Sequence, residues 1–372
     1  MNTVEASTIH TIQPPGLPYP IVVGIGALAG VGRRLRVAAP ADRSVVVTDE
    51  TVGLLYGDVL ERALKDAGFD SLVITVPPGD ASKSLSQAGL LYDDLAERGH
   101  GRDEPIIALG GGVVGDLAGF VAATWHRGVP FVQCPTTLEA DIDASIGGKT
   151  AINHEAGKNL IGAFHRPVLV CIDVACLRTL SVRDYAAALA ESVKHAIIRD
   201  AAFFEWHEQN AEAIVRRDGA VLDELIVRNC RHKAEVVVTD ERETASDGVG
   251  RAALNFGHTL GHAIEAHFRY RLRHGEAVAL GMVAALDLAV RRCGLPASDR
   301  DRAEALLSRL GLRLRLPEAV EPEHILRRLV SDKKVRSQTV RMILPTRIGD
   351  VRWFESPADA DLLDALGRIA PS

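Results

Sequence analysis

The first 180 residues alternate between two hydrophobic periods. Short apolar runs that end in polar or glycine residues read as buried strands: "SVVVTDE" from Ser44, "SLVITVPPGD" from Ser71, "PIIALGGG" from Pro105 and "PFVQCPTTL" from Pro130. Between them, "TVGLLYGDVLERALKDAG", "SLSQAGLLYDDLAERG" and "DLAGFVAATWHRG" space their apolar residues three or four apart and close on glycine, as helices do. Strands that alternate with helices predict a mostly parallel sheet covered on both faces. From about Leu180 the period becomes helical almost throughout, over 183–216, 219–238, 256–268, 275–293, 299–311 and 322–331, with one strand-like stretch, "TVRMILP", near the end. The pattern predicts an α/β domain with a Rossmann-like sheet over residues 1–179 and a mainly α-helical domain over 180–372.

Composition narrows the possibilities. A chain of 372 residues is long enough for two domains, and 47% hydrophobic with 25% charged residues is ordinary for a soluble protein. A net charge of -6 argues against a nucleic-acid partner. The N-terminal stretch lacks the basic and apolar regions of a signal peptide, and no run of 18 apolar residues predicts a membrane span. Cys134, Cys171, Cys176, Cys230 and Cys293 are scattered, with no C-x-x-C, which fits reduced thiols in a cytoplasm and makes cysteine a poor candidate for a metal ligand. The chain uses 35 arginines and only 8 lysines, so a lysine in a glycine-rich or apolar setting stands out. The two cations differ physically, one a compact point charge and the other a planar fork.

Three stretches could carry chemistry. "LGGGVVGDLAG" matches G-x-G-x-x-G through Gly110, Gly112 and Gly115, between a predicted strand and a predicted helix. Such a turn lets a pyrophosphate approach the backbone at a helix N-terminus, or it serves packing alone. The acidic partner expected some 20 residues later is missing, and the candidate, Asp49, comes earlier, so the topology is not a standard Rossmann one. "DASIGGKT" fails the P-loop pattern because Asp143 stands where glycine is needed, but Lys149 and Lys158 among glycines still suggest an anion site. Finally, His258 and His262 share a helix face at i,i+4, His274 follows, and Glu191 lies in an apolar run with Lys194 one turn on. Imidazoles plus a carboxylate suit a catalytic zinc-type site, with hydrogen bonding to a helix end as the plainer alternative.

Several long motifs together resemble the 3-dehydroquinate synthase family of the sugar phosphate cyclases: "ALGGGVVGDLAGFVAATWHRGVPFVQCPTTL", "DASIGGKTAINHEAGKNLIGAFHRP", "LAESVKHAI", "RHKAEVVVTDERE" and "LNFGHTLGHAIEAHF" with "HGEAVALGM". They run in family order from about Val46 to Pro345. The resemblance implies a divalent metal, zinc or cobalt, on Glu191, His258 and His274, with His262 turned to substrate. It implies NAD at the Gly110–Gly115 turn, contacted by Asp49, Asp80, Lys83, Gly111, Gly112, Gly115, Asp116, Thr136 and Thr137. Lys149, Lys194, Lys233, Asn255 and His262 take catalytic positions, and Asp143, Lys158, Asn159, Arg251 and Arg341 substrate positions. Arg127 matches an arginine that reaches a neighbouring subunit's site, which implies a homodimer. Five of the eight lysines thus fall on site positions.

The implied reaction converts 3-deoxy-D-arabino-heptulosonate 7-phosphate to 3-dehydroquinate and phosphate through a transient oxidation. Its substrate is a small phosphorylated sugar acid, suited to cationic side chains. The sequence departs from the family pattern at "ESVKHA", where Ser192 and His195 flank the site residues, in a longer loop before Arg251, and at Asp80 and Arg341. Three readings compete: an amino-dehydroquinate, 2-deoxy-scyllo-inosose or 2-epi-5-epi-valiolone synthase; an NAD- and metal-dependent polyol dehydrogenase; and an inactive cyclase-like scaffold. Arg251 and Asn255 discriminate among the cyclases, because two of those substrates lack a carboxylate.

Overall fold

The computed structural model describes residues 8–240, 249–335 and 340–371, with the backbone alone over 330–335. The longer loop before Arg251 falls partly outside the described residues, as does the start of the N-terminal segment. The chain forms two compact units, Met1–Leu180 with Leu222–Val238, and Ser181–Val221 with Thr239–Ser372. This differs from a single boundary at 179/180, because Leu222–Val238 groups with the first unit.

The first unit holds β1 (His10–Ile12), β2 (Ile21–Gly24), α1 (Val31–Ala38), β3 (Arg43–Asp49), α2 (Glu50–Asp66), β4 (Asp70–Val76), α3 (Leu85–Arg98), β5 (Ile106–Gly110), α4 (Gly112–Thr124), β6 (Phe131–Pro135), β7 (Lys149–His154), β8 (Gly157–Phe164) and β9 (Leu169–Asp173). Seven strands form one sheet in the order β1-β2-β9-β6-β5-β3-β4, parallel at every junction except β1–β2. Period-2 alternation builds a core on each face. Val46, Ile107 and Leu109 turn toward Leu35, Leu60 and Leu64, while Val45, Val47, Ile106 and Ala108 turn toward Leu91, Leu95, Leu117 and Val121. The chain crosses over between β3 and β5, so the carboxyl ends of both strands border the crevice where such sheets bind ligands.

The hydrophobic pattern left two features unread. The strands β2 and β9 lie in the sheet although neither stood out in that pattern. The glycine-rich stretch around Lys149 and Lys158 forms the antiparallel hairpin β7–β8.

The second unit contains α5 (Val182–Arg199), α6 (Ala201–Val215), α8 (His258–His267), α9 (His274–Arg292), α10 (Ala297–Arg309), α11 (Pro322–Val335), α12 (Asp359–Arg368) and the hairpin β10 (Arg341–Arg347)–β11 (Asp350–Glu355). The intervening helix α7 (Gly219–Thr239) passes from this unit into the first. The helical segment expected over 183–216 is two helices. Asp200 breaks it, with an extended backbone and a carboxylate that accepts from the Phe203 N–H at 2.9 Å and so caps α6. Residues Ala187 to Ile198 of α5 are all buried, and with them the polar members of that run, Glu191, Ser192, Lys194 and His195.

Candidate active site

The centre of the helical unit is assembled by close backbone approach. A Cβ at Gly275 would lie 1.9 Å from the carbonyl oxygen of Ala187, and one at Gly281 only 2.0 Å from that of Gly257. Both distances are far inside van der Waals contact, so α9 touches α5 and the start of α8 backbone to backbone. Gly257 itself has φ +77, a left-handed conformation that starts α8 at His258. These contacts bring the first residues of α8 and α9 against the middle of α5.

At that junction Glu191 Oε1 is 3.5 Å from His258 Nε2 and 3.6 Å from His274 Nε2. A tetrahedral ion with bonds of 2.0–2.1 Å would separate its ligand atoms by about 3.3 Å, so the spacing suits one divalent ion. His258, His262 and His274 form a cluster of potential ligands, with ring centroids 5.2 to 5.8 Å apart. The other ring nitrogens are held from outside. His258 Nδ1 is 3.2 Å from the Phe256 carbonyl and His274 Nδ1 is 3.4 Å from Glu265 Oε2, which leaves each Nε2 lone pair facing Glu191.

The electrostatics favour the ligand forms. Burial holds His258 well below the usual histidine range, and the Lys194 ammonium pushes the same way against Glu191. His262, although its side chain is exposed, is also lowered, by desolvation among its neighbours and by His274. Both rings are therefore neutral at pH 7, as metal ligation or proton acceptance requires. Lys194, 1% exposed, pairs with Glu191 one turn away. Arg251, also 1% exposed, lies in the short 3₁₀ turn Gly250–Asn255 that leads into His258, and Asn255 ends that turn exposed. Arg341 stands on β10, where it pairs with Glu355 at 3.1 Å and lies over Trp353.

In the first unit the sequence-predicted residues gather in three groups. Asp49 ends β3 and caps α2, accepting from the Thr51 and Val52 N–H groups at 2.9 and 3.0 Å. Next to it across the crevice, Gly111 opens α4 without a side-chain cap, and Thr136 and Thr137 follow β6. A Cβ at Gly115 would lie 2.7 Å from the end of the flexible Gln133 side chain and one at Gly111 would lie 3.0 Å from the Thr137 methyl, so either substitution requires the neighbouring side chain to shift. At Gly112 the nearest contact is an ordinary 3.6 Å, so packing does not require glycine at that turn position. The second group is a buried ammonium, Lys83, bonded to both Asp116 and Asn159. Burial raises Asp116 despite the pull of Lys83. Beside it, Lys158 and Asn153 reach Asp80 at 3.3 and 3.2 Å. In the third group Lys233 pairs with Asp143, while Lys149 is exposed at the start of β7.

Arg127 has no part in these groups. It is exposed, and it and His126 form two successive left-handed residues, φ 67 and 48. That strain costs on the order of 1–3 kcal/mol per residue and needs support. The support is His100, whose carbonyl accepts from the Trp125 indole at 3.2 Å and lies 3.1 Å from His126 Nε2.

Two polar residues had no role in the sequence reading. Glu265 sits seven residues after His258, on the face that carries both histidines, a spacing that marks it as their neighbour. Asp141, 0% exposed, has no hydrogen-bond partner on either carboxyl oxygen among the described residues. Burial and the nearby Asp173 push it well above the usual carboxylate range.

A parallel sheet with a glycine turn at its crossover, and a helical unit carrying a carboxylate–imidazole cluster, are the architecture of the sugar phosphate cyclases. Two solved structures share it over 97% of this chain and 99% of theirs, each with a TM-score of 0.86. One is a 2-epi-5-epi-valiolone synthase from Streptomyces hygroscopicus with NAD+ and Zn2+ bound, 28% identical. The other is a 2-deoxy-scyllo-inosose synthase complexed with carbaglucose-6-phosphate, NAD+ and Co2+, 25% identical. Within the class, the N-terminal 3-dehydroquinate synthase family model matches residues 73–187 and the C-terminal one residues 188–335. A 3-dehydroquinate synthase from Symbiobacterium thermophilum is 47% identical over 336 residues, 90% of this chain and 92% of that relative. The chain belongs to the 3-dehydroquinate synthase family.

Proposed function

We propose that this enzyme converts 3-deoxy-D-arabino-heptulosonate 7-phosphate to 3-dehydroquinate and phosphate. The observation that carries the reading is the Glu191–His258–His274 cluster with Lys194 buried against it, in a chain far more similar to a dehydroquinate synthase than to either structurally matched cyclase. When bound, NAD would take up and return one hydride, and a divalent ion on these three residues would polarise the oxygen being oxidised.

The chain's own residues divide the remaining work. The turn at Gly111, Gly112 and Gly115, with Asp49, Asp80, Lys83, Asp116, Thr136 and Thr137, binds the dinucleotide. Arg251 pairs with the substrate carboxylate, where a guanidinium makes two parallel charge-assisted hydrogen bonds. Lys149, Lys158, Asn159 and Arg341 bind and orient phosphate and hydroxyl groups, and Asp143 with Lys233 holds a proton-carrying pair beside them. Lys194 offsets the Glu191 charge and donates to a developing oxyanion. His262, held below the usual histidine range by desolvation and by His274, accepts a proton. Asn255 orients the ring oxygen.

The same proposal includes a homodimer in which Arg127 reaches the neighbouring site, and a cytoplasmic location. No described helix is long and apolar enough to cross a membrane.

The test is mass analysis of the product formed by purified protein, zinc, NAD and the heptulosonate phosphate. Dehydroquinate formed without accumulating NADH supports the reading. Stoichiometric NADH growth would identify a polyol dehydrogenase instead, and turnover only of a non-carboxylated sugar phosphate would identify another cyclase.

A further inference from the structure

The carboxylate that orients His274 lies outside the proposed ligand set. His274 is the first residue of α9, its side chain 30% exposed. Two contacts bear on the orientation of its ring. Nε2 faces Glu191 Oε1 at 3.6 Å and Nδ1 faces Glu265 Oε2 at 3.4 Å, so the ring is suspended between two carboxylates. Glu265 is 7% exposed, and its own carbonyl accepts the Tyr270 N–H at 2.9 Å, at the turn that carries the chain from α8 to His274. Tyr270 and Arg269 are both left-handed there, φ 58 and 51.

We propose that Glu265 is the positioning residue for His274: its carboxylate accepts the Nδ1 proton and so keeps the Nε2 lone pair free and aimed at Glu191. This role rests on the metal reading above and adds a residue to it. A neutral imidazole carries one proton, and only the tautomer protonated at Nδ1 can donate Nε2 to an ion. A carboxylate acceptor at Nδ1 selects that tautomer and raises the basicity of Nε2. His258 gains the same selection from the weaker, uncharged Phe256 carbonyl at 3.2 Å. The two ligands are thus held by acceptors of different strength.

The experiment measures zinc affinity by chelator competition, and the visible absorption of the cobalt-loaded protein, for wild type, Glu265→Gln and Glu265→Ala. Glu265→Ala should bind zinc roughly 10- to 100-fold more weakly and shift the cobalt spectrum. Glu265→Gln should fall between, because the amide oxygen still accepts but carries no charge. A purely structural glutamate would lower the unfolding midpoint while leaving the affinity of the folded protein unchanged. Affinities within about two-fold of wild type in both variants, with an unaltered cobalt spectrum, would overturn the proposal. If Glu265→Ala does not fold, Glu265→Gln alone decides it by the same two readouts. Should wild type itself bind no stoichiometric ion, the metal reading fails, an outcome separate from equal binding by wild type and variants.

Discussion

Gly275→Ala adds one methyl group at the contact that aligns the proposed metal ligands His274 and Glu191. The new Cβ would stand 1.9 Å from the Ala187 carbonyl oxygen and 2.6 Å from its carbon, where real contacts begin above 3.0 Å. Both neighbours are backbone atoms of α5, so no side chain can swing aside. The start of α9 must retreat by about 1 Å or more. Alanine in place of a helical glycine would ordinarily gain up to about 1 kcal/mol, but overpacking of this kind costs about 1–3 kcal/mol, so the net change destabilises. The larger effect falls on the neighbouring residue. His274 moves with α9 while Glu191 stays on α5, and a retreat of about 1 Å is half the length of a zinc–nitrogen bond. Zinc affinity, read by chelator competition, should fall by at least the roughly 10- to 100-fold seen when a ligand's support is disturbed. Gly89→Ala is the control: Gly89 lies in α3 with nothing within 4 Å of the Cβ that alanine would add, so its substitution should leave zinc binding unchanged and stability equal or higher. Wild-type zinc affinity and thermal midpoint in Gly275→Ala would show that the two helices do not meet backbone to backbone.

The other expectations concern separate groups. His274→Ala should lose stoichiometric zinc while His262→Ala retains it, measured as metal content after dialysis; retention by His274→Ala removes His274 from the ligand set. Arg251→Ala should lower kcat/KM on the heptulosonate phosphate by roughly 30- to 1000-fold, the cost of an unpaired buried carboxylate, and Arg251→Lys should recover only part. Activity near wild type would instead point to a substrate without that group. Asp141→Asn should alter how stability depends on pH. The folded chain keeps the Asp141 proton that the unfolded chain releases above about pH 3.9, so stability is fully present below that pH and declines by up to about 1.4 kcal/mol per unit as pH rises toward the raised folded value. The asparagine variant lacks this slope, so urea midpoints at pH 5 and pH 8 should diverge from wild type, and parallel curves would refute the assignment.

What the sequence could disclose depended on whether a residue's reason lay near it in the chain. The central strands were legible because residues such as Ile106–Gly110 are buried on both faces and appear as unbroken apolar runs. β2 escaped notice because four residues, Ile21–Gly24, make too short a run, and the hairpin β7–β8 because glycine, lysine and asparagine mask its alternation. The histidine pair was legible from its i,i+4 spacing, and the same face extended one turn leads to Glu265. Glu191 is different. It lies on α5, far from either histidine in sequence; its setting in an apolar run one turn from Lys194 marked it as unusual, but only the family motif joined it to the histidines. The glycines at 257, 275 and 281 are harder still. A glycine in a helix reads as a weak helix former, and what requires it is the backbone of another helix. Glu191, His258 and His274 lie close together because those glycines let three helices meet, so the spacing of the centre is set by residues that carry no side chain. Substitutions that leave every charged group in place should therefore weaken the proposed metal binding, because a methyl group at Gly275 displaces an imidazole that it never touches.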